Sequence, residues 1–325
     1  MNARFHLVTF LRNLKWAFSR NGVEDSLALE RRVAVLEKAV GQLGPTRVEF
    51  RDLLLLEEVL NDENPAYREE IDYCRKHGRL EVFPYERVRD FPPVEVHHDA
   101  SRGLSYVLHG NKRLYYPASW GHLSIAASYR NAMHIEGILG EGCLAKSPHK
   151  YLDGRFPVKE GAVVCDFGAA EGLVGFHFAN RAVRLVIGEC DGKWQAPLKA
   201  SFSPYAEKTS FVTCPLGMGE GNGRCSSVLK EMVDLVGPDV PFFLKFDIEG
   251  AERFAIREAE TFFTTHPDVT VACAAYHRQD DAEVLEKTFK EWGYETAFSD
   301  GAMLFLLDQL APPYFRRGVL HAKKG

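Results

Sequence analysis

Residues 241–254 read PFFLKFDIEGAERF. An apolar run is followed at once by Lys245, Asp247, Glu249 and Glu252. A strand alternates its faces, so Phe243, Lys245 and Asp247 share one side, and Leu244, Phe246 and Ile248 the other. An unpaired buried ammonium is costly, so Lys245 should lie beside a carboxylate. Asp247 then stands where the strand ends, placed to orient a ligand or a reacting group. Glu249 follows as a substrate-contacting acid, Gly250 lets the chain turn, and Glu252 opens a helix, where an acid suits the dipole. A base belongs near such a carboxylate if a proton is to be moved. His277, expected to end the strand that VTVACAAY (269–276) begins, suits that task near neutral pH. Asp247 competes with it as the base, and a purely structural histidine is the other reading. Asp247 and Glu249 would also suit a divalent ion, but the sequence shows no further ligands, so no metal is expected. His97 and His98 are neighbours on an extended stretch and point opposite ways.

A second group precedes this one. Asp166-Phe167-Gly168-Ala169-Ala170-Glu171-Gly172 follows the short apolar run AVVCDF and opens an amphipathic run. Glycine there lets the backbone turn sharply and approach a ligand closely. Glu189 ends the next apolar run, RLVIGE, where an acid accepts the hydroxyls of a ribose. A nicotinamide dinucleotide and S-adenosyl-L-methionine both fit that outline. The second glycine of a G-x-G-x-x-G turn is missing, and Asp166 and Glu171 would repel phosphates. The ammonium and sulfonium of S-adenosyl-L-methionine are cations. The pattern therefore favours that cofactor, with Asp166, Gly168, Ala170, Glu171, Gly172, Glu189 and Asp247 as its contacts. The plain alternative is a turn and a surface cap.

The elements that must carry these residues alternate. AVVCDF, RLVIGE, TSFVTC, PFFLKFD and VTVACAAY are short apolar strands, with helical runs between them. Such alternation predicts a mostly parallel, doubly wound sheet. YETAFS and AMLFLL, joined by a tight SDG, predict an antiparallel hairpin at the end. The expected fold is α/β, a Rossmann-like seven-stranded sheet of the class I methyltransferase type, plus a helical N-terminal region.

Two stretches, VVCDFGAAEGLVGFHFA and LKFDIEGAERFAI, resemble the FkbM family of S-adenosyl-L-methionine-dependent methyltransferases. The resemblance spans roughly 136–325, including EGILGEGCLAKSPHKY before the first strand and CAAYHRQDDAEVLEKTFKEWGY after the fifth. It implies O-methylation of a hydroxyl on a small molecule or glycan. His277 and Asp247 are then the catalytic candidates, and Glu249, Arg278, His149 and Tyr151 the substrate-binding ones. The last two sit in SPHKY (147–151), which would fold over the cofactor or substrate. Transfer to nitrogen, a dehydrogenase and a non-catalytic scaffold remain as alternative readings.

The chain of 325 residues is 46% hydrophobic and 26% charged, with net charge -5. That is ordinary for a globular protein and gives no general pull toward nucleic acid. Seven cysteines are scattered singly, without CxxC, as expected of reduced thiols in the cytoplasm. No run approaches the length of a membrane span, and no signal peptide is read at the N-terminus. Residues 4–20 mix aromatic and basic residues and suggest peripheral membrane contact. Leu29, Val33, Leu36, Val40 and Leu43 form an a/d seam that suggests a homo-oligomer through residues 27–43. The expected organisation is 1–95 helical, 96–160 a hairpin and lid segment, and 161–325 the catalytic domain. In the lid segment, LSYVLHGNKRLYY (104–116) is expected to be a β-hairpin.

Overall fold

A computed structural model describes residues 59, 62, 64–78, 80–140, 142–213, 216, 224–305 and 312–324. The membrane-contact and oligomerisation expectations for residues 4–20 and 27–43 lie outside them. The chain divides into two compact units, Met1–Glu81 and Val82–Gly325. In the first, α1 (Arg68–His77) carries Glu69 and Glu70 in its first turn and Arg75, Lys76 and His77 in its last. Both sets suit the helix dipole. Gly78, at φ 63°, ends it.

The second unit begins with an antiparallel meander, β1 (Val96–Asp99), β2 (Leu104–His109) and β3 (Lys112–Tyr116). The expected hairpin is its second half. Next, α2 (His122–Arg130) runs into a π-helical turn, Asn131–Glu136, closed by Gly137 in the left-handed region. Then β4 (Val163–Phe167), α3 (Leu173–Phe178), β5 (Arg184–Gly188), α4 (Gln195–Ser201) and β6 (Thr209–Val212) alternate. They are followed by α5 (Arg224–Val236), β7 (Phe242–Phe246), α6 (Glu252–Glu258), α7 (Glu260–Thr265), β8 (Val269–Ala274), α8 (Asp281–Glu291) and β9 (Glu295–Phe298). The chain ends in β10 (Ala302–Leu304), β11 (Phe315–Arg317) and β12 (Val319–Lys324).

Seven strands form the main sheet in the order β6-β5-β4-β7-β8-β12-β9. β4 to β8 pair in parallel, while β12 runs antiparallel to both β8 and β9. Both faces are covered, which is why the parallel strands read as continuous apolar runs. Phe242, Leu244 and Phe246 pack with α5 to α8 on one face. Phe243 packs on the other face with Phe178, Leu185 and Ile187. The alternation expected along PFFLKFD holds.

One strand of the expected ending is corrected. The antiparallel partner of β9 is β12, not AMLFLL. The chain leaves the sheet at Gly301, whose φ of 86° is left-handed. The Tyr85 hydroxyl then takes the Ala302 N–H at 2.6 Å and donates to the Ala302 carbonyl at 2.9 Å. Held there, β10 pairs with β11 in a separate two-stranded sheet. Cys74, Cys143, Cys165, Cys225 and Cys273 are buried free thiols, and Cys190 is an exposed one. Among the described residues no helix is long and apolar enough to cross a membrane.

Candidate active site

The carboxyl ends of β4, β5, β7 and β8 open on one crevice, where open α/β sheets bind their ligands. A cavity of about 190 Å³ lies there, lined by Asp166, Gly168, Ala170, Glu171, Lys245 and Asp247 from the sheet side. Asn131, Glu136, His149 and Tyr151 close it from the segment before β4.

The turn after β4 depends on its glycines. Gly168 has φ 72°, and a Cβ there would stand 1.6 Å from the Asp247 carbonyl oxygen. Gly172 has φ 79° and begins α3. Ala170 is also left-handed, at φ 46°, and its N–H donates to Glu189 Oε2 at 2.8 Å. Glu189 Oε1 accepts from the Asp191 N–H at 2.7 Å. Glu189 thus ties the tip of β5 to the β4 turn. Glu171 is buried, and that burial pushes its carboxyl up to about 7.

Asp166 and Lys245 form the buried ion pair that the sequence requires, at 3.3 Å. Asp166 Oδ2 also accepts the Gly175 N–H at 2.8 Å, and Lys245 Nζ donates to the Gly168 carbonyl at 2.5 Å. Burial works against the Lys245 ammonium, but Asp166 and Asp247 overcome it and hold its pKa above the ordinary value. Asp247 is pushed up by burial and pulled down further by Lys245, His149 and His277, so it stays ionised.

Two histidines flank Asp247. His149 Nδ1 lies 2.6 Å from Glu136 Oε2, and its Nε2 lies 3.0 Å from the Tyr151 hydroxyl and 2.8 Å from that of Tyr276. Tyr276 donates onward to Asp247 Oδ1 at 3.0 Å. His277 Nδ1 lies 3.0 Å from Glu252 Oε1, while its Nε2 lies 3.6 Å from Asp247 Oδ1 and 3.7 Å from Glu249 Oε2. Burial disfavours both imidazolium ions. Glu136 raises His149 above the ordinary range, and Glu252 does the same for His277, each with help from Asp247. His277 lies three residues beyond the end of β8 rather than on it.

The structure therefore brings Asp166, Gly168, Ala170, Glu171, Asp247, His149 and Tyr151 to one cavity, with Gly172 and Glu189 at the same turn and His277 beside it. Glu249, left-handed at φ 56°, is largely solvent-facing. Arg278 is exposed and donates to the Gly250 carbonyl at 2.9 Å, on the outer rim. Three residues join the cluster unannounced. Glu136 comes from the π-helical turn. Tyr276 precedes His277. Glu252, read as a helix-opening acid, turns inward to accept the Ile248 N–H at 2.7 Å and to meet His277. Its place four residues after Ile248 was the available signal for the first of those contacts.

The sheet order and the crevice define a Rossmann-like α/β fold with the strand arrangement of class I methyltransferases. No protein-family model matches the chain, and no curated protein does. Solved structures give fainter likenesses. A precorrin-6y C5,15-methyltransferase from Geobacter metallireducens is 14% identical, with a TM-score of 0.33 over 53% of this chain and 83% of that one. The ribosomal protein L11 methylase of Lactobacillus delbrueckii subsp. bulgaricus is 12% identical, with a TM-score of 0.32 over 52% of this chain and 72% of that one.

Proposed function

We propose that the protein is an S-adenosyl-L-methionine-dependent methyltransferase acting on a hydroxyl of a small molecule or glycan, as its resemblance to the FkbM family implies. One observation carries the cofactor. Among the described residues the cavity beside the β4 turn is lined by Asp166, Glu171, Glu136 and Asp247, and its cations, Lys245 and His149, are already engaged by Asp166 and Glu136. Such a lining attracts a cationic ligand and repels a pyrophosphate. Gly168 lines that cavity, and Glu189, at the tip of β5, is our candidate for accepting ribose hydroxyls. When bound, the sulfonium supplies an electrophilic methyl group. Asp247, just past the end of β7, would hold the cationic end of the cofactor. The acceptor oxygen enters between Asp247 and His277, the two groups that handle its proton as it becomes more acidic.

The test is calorimetric titration with S-adenosyl-L-methionine, S-adenosylhomocysteine and NAD. Binding of both adenosyl ligands and none of NAD is expected. Asp166→Ala and Glu189→Ala should lose that binding, while His277→Ala should keep it and lose turnover. Binding of NAD alone would overturn the reading.

A further inference from the structure

The sequence offers Asp247 and Glu249 as carboxylates that would suit a divalent ion, but no further ligand beside them. The fold supplies two. The ligand-capable atoms of Asp247, Glu252 and His277 lie within 4.8 Å of one another. Glu252 is fully buried, and the His277 side chain is 7% exposed. His277 Nδ1 lies 3.0 Å from Glu252 Oε1, yet among the described residues neither Nδ1 nor Glu252 Oε2 has a hydrogen-bond partner. Orphaned polar atoms at that depth are expensive. A contact of this length without hydrogen-bond alignment is the edge expected between two ligands of one ion with bonds of about 2.1 Å.

We propose that Asp247, Glu252 and His277 hold a divalent cation at the edge of the cofactor crevice. One imidazole and two carboxylates suit a hard or borderline ion such as Mn²⁺ or Mg²⁺ rather than a soft one. Outer partners of the kind metal ligands need are in place. The Ile248 N–H holds Glu252 Oε1, and the Tyr276 hydroxyl holds Asp247 Oδ1. Glu249, 83% exposed and 3.7 Å from His277 Nε2, marks the solvent side from which an ion would enter. Three protein ligands leave positions open, as catalytic metal sites do.

The ion's task rests on the methyl-transfer reading, though its binding does not. It makes the acceptor a molecule with two neighbouring oxygens able to chelate, such as a vicinal diol. An ion lowers the pKa of a bound hydroxyl. With the ion bound, Asp247 and His277 are its ligands rather than proton carriers, and the hydroxyl proton passes to solvent past Glu249. The oxygen's electron pair forms the new O–C bond as the C–S bond breaks, and the sulfonium leaves as a neutral thioether.

The test is titration of the full chain with Mn²⁺ alone, followed by electron paramagnetic resonance, with and without S-adenosylhomocysteine. Saturable one-site binding is expected. His277→Gln and Glu252→Gln should each weaken it by about tenfold or more. Each variant is first examined by circular dichroism and thermal unfolding to show that it folds. If buried Glu252→Gln fails that check, His277→Gln and Asp247→Asn decide. Absence of Mn²⁺ binding by the wild type under both conditions overturns the proposal and leaves His277 and Glu252 as a plain histidine–carboxylate pair. Equal Mn²⁺ affinity in every folded variant overturns it too. Mn²⁺ binding without adenosyl-ligand binding would keep the metal site and remove the methyl-transfer reading. The reverse result would do the opposite.

Discussion

Replacing Gly168 with alanine should disable the site through one carbon atom. The new Cβ would lie 1.6 Å from the Asp247 carbonyl oxygen and 2.6 Å from its carbon, so backbone must move by more than 1 Å. Neither atom can rotate away, since both are main chain of Asp247, just past the end of β7, which pairs with β4. The left-handed φ adds about 1–2 kcal/mol for a residue with a Cβ, and forced overpacking typically adds about 1–3 kcal/mol. The loss should therefore be about 2–5 kcal/mol. For a domain of this size, about 2–4 °C per kcal/mol makes that roughly 4–20 °C in Tm. Gly161 gives the control. Its φ is 73°, but no atom of the described residues lies within 4 Å of a Cβ there, so Gly161→Ala should cost only the conformational part, about 1–2 kcal/mol. Thermal unfolding of both variants, with calorimetric titration of S-adenosylhomocysteine, separates the effects. Gly168→Ala should fall well below Gly161→Ala in Tm and lose the ligand, because the displaced carbonyl carries Asp247 with it. Equal Tm values with retained binding would refute the argument that this turn is fixed by contact with β7.

Three further outcomes follow from the buried charges. Glu171, raised to about 7 by burial, is neutral below that pH and anionic above it. The preference for S-adenosyl-L-methionine over S-adenosylhomocysteine should therefore grow as pH rises through about 7, and stay flat in Glu171→Gln, as read by paired titrations at pH 6 and 8. Lys245→Met leaves Asp166 buried with its cation gone, which should cost about 3–5 kcal/mol in denaturant unfolding. A loss under 1 kcal/mol would mean that the pair is dispensable. His321 is held down to about 4 by burial, beside the Lys150 carbonyl at 3.2 Å. The unfolded chain takes up this proton first, so the stabilisation is complete above about 6.5 and is lost as pH falls to about 4. The loss is about 3 kcal/mol at most, and His321→Gln should flatten that part of the stability profile.

What the sequence reveals about this fold is set by burial. β4, β5, β7 and β8 are covered on both faces and read as uninterrupted apolar runs bounded by turns. β12 escaped notice because VLHAKK alternates apolar residues with His321 and Lys323. Its register is set by β8 and β9, which are distant in the chain. AMLFLL looked like the better strand because local hydrophobicity cannot reveal that the Tyr85 hydroxyl holds Ala302 away from the sheet. That contact joins residues 217 positions apart.

The site divides along the same line. Asp166, Gly168 and Lys245 were legible because each answers a local demand. A turn needs left-handed backbone, and a lysine in an apolar strand needs an anion. The carboxylates around the histidines answer no local demand. Glu252 at the start of α6 has the credentials of a helix-opening acid, and only the tertiary fold, in which Ala255 and Ile256 of α6 share a core with Cys273 of β8, turns it toward His277. Strand alternation would send Tyr276 and His277 to opposite faces. β8 ends at Ala274, and past that point the rule lapses, so both side chains reach Asp247. The same irregular backbone separates the two readings of His277. As a base it needs one carboxylate to orient it. Here three carboxylates lie within 3.7 Å of its ring nitrogens, more negative charge than one imidazolium neutralises. That surplus is the reason to titrate with a divalent ion before assigning His277 to proton transfer.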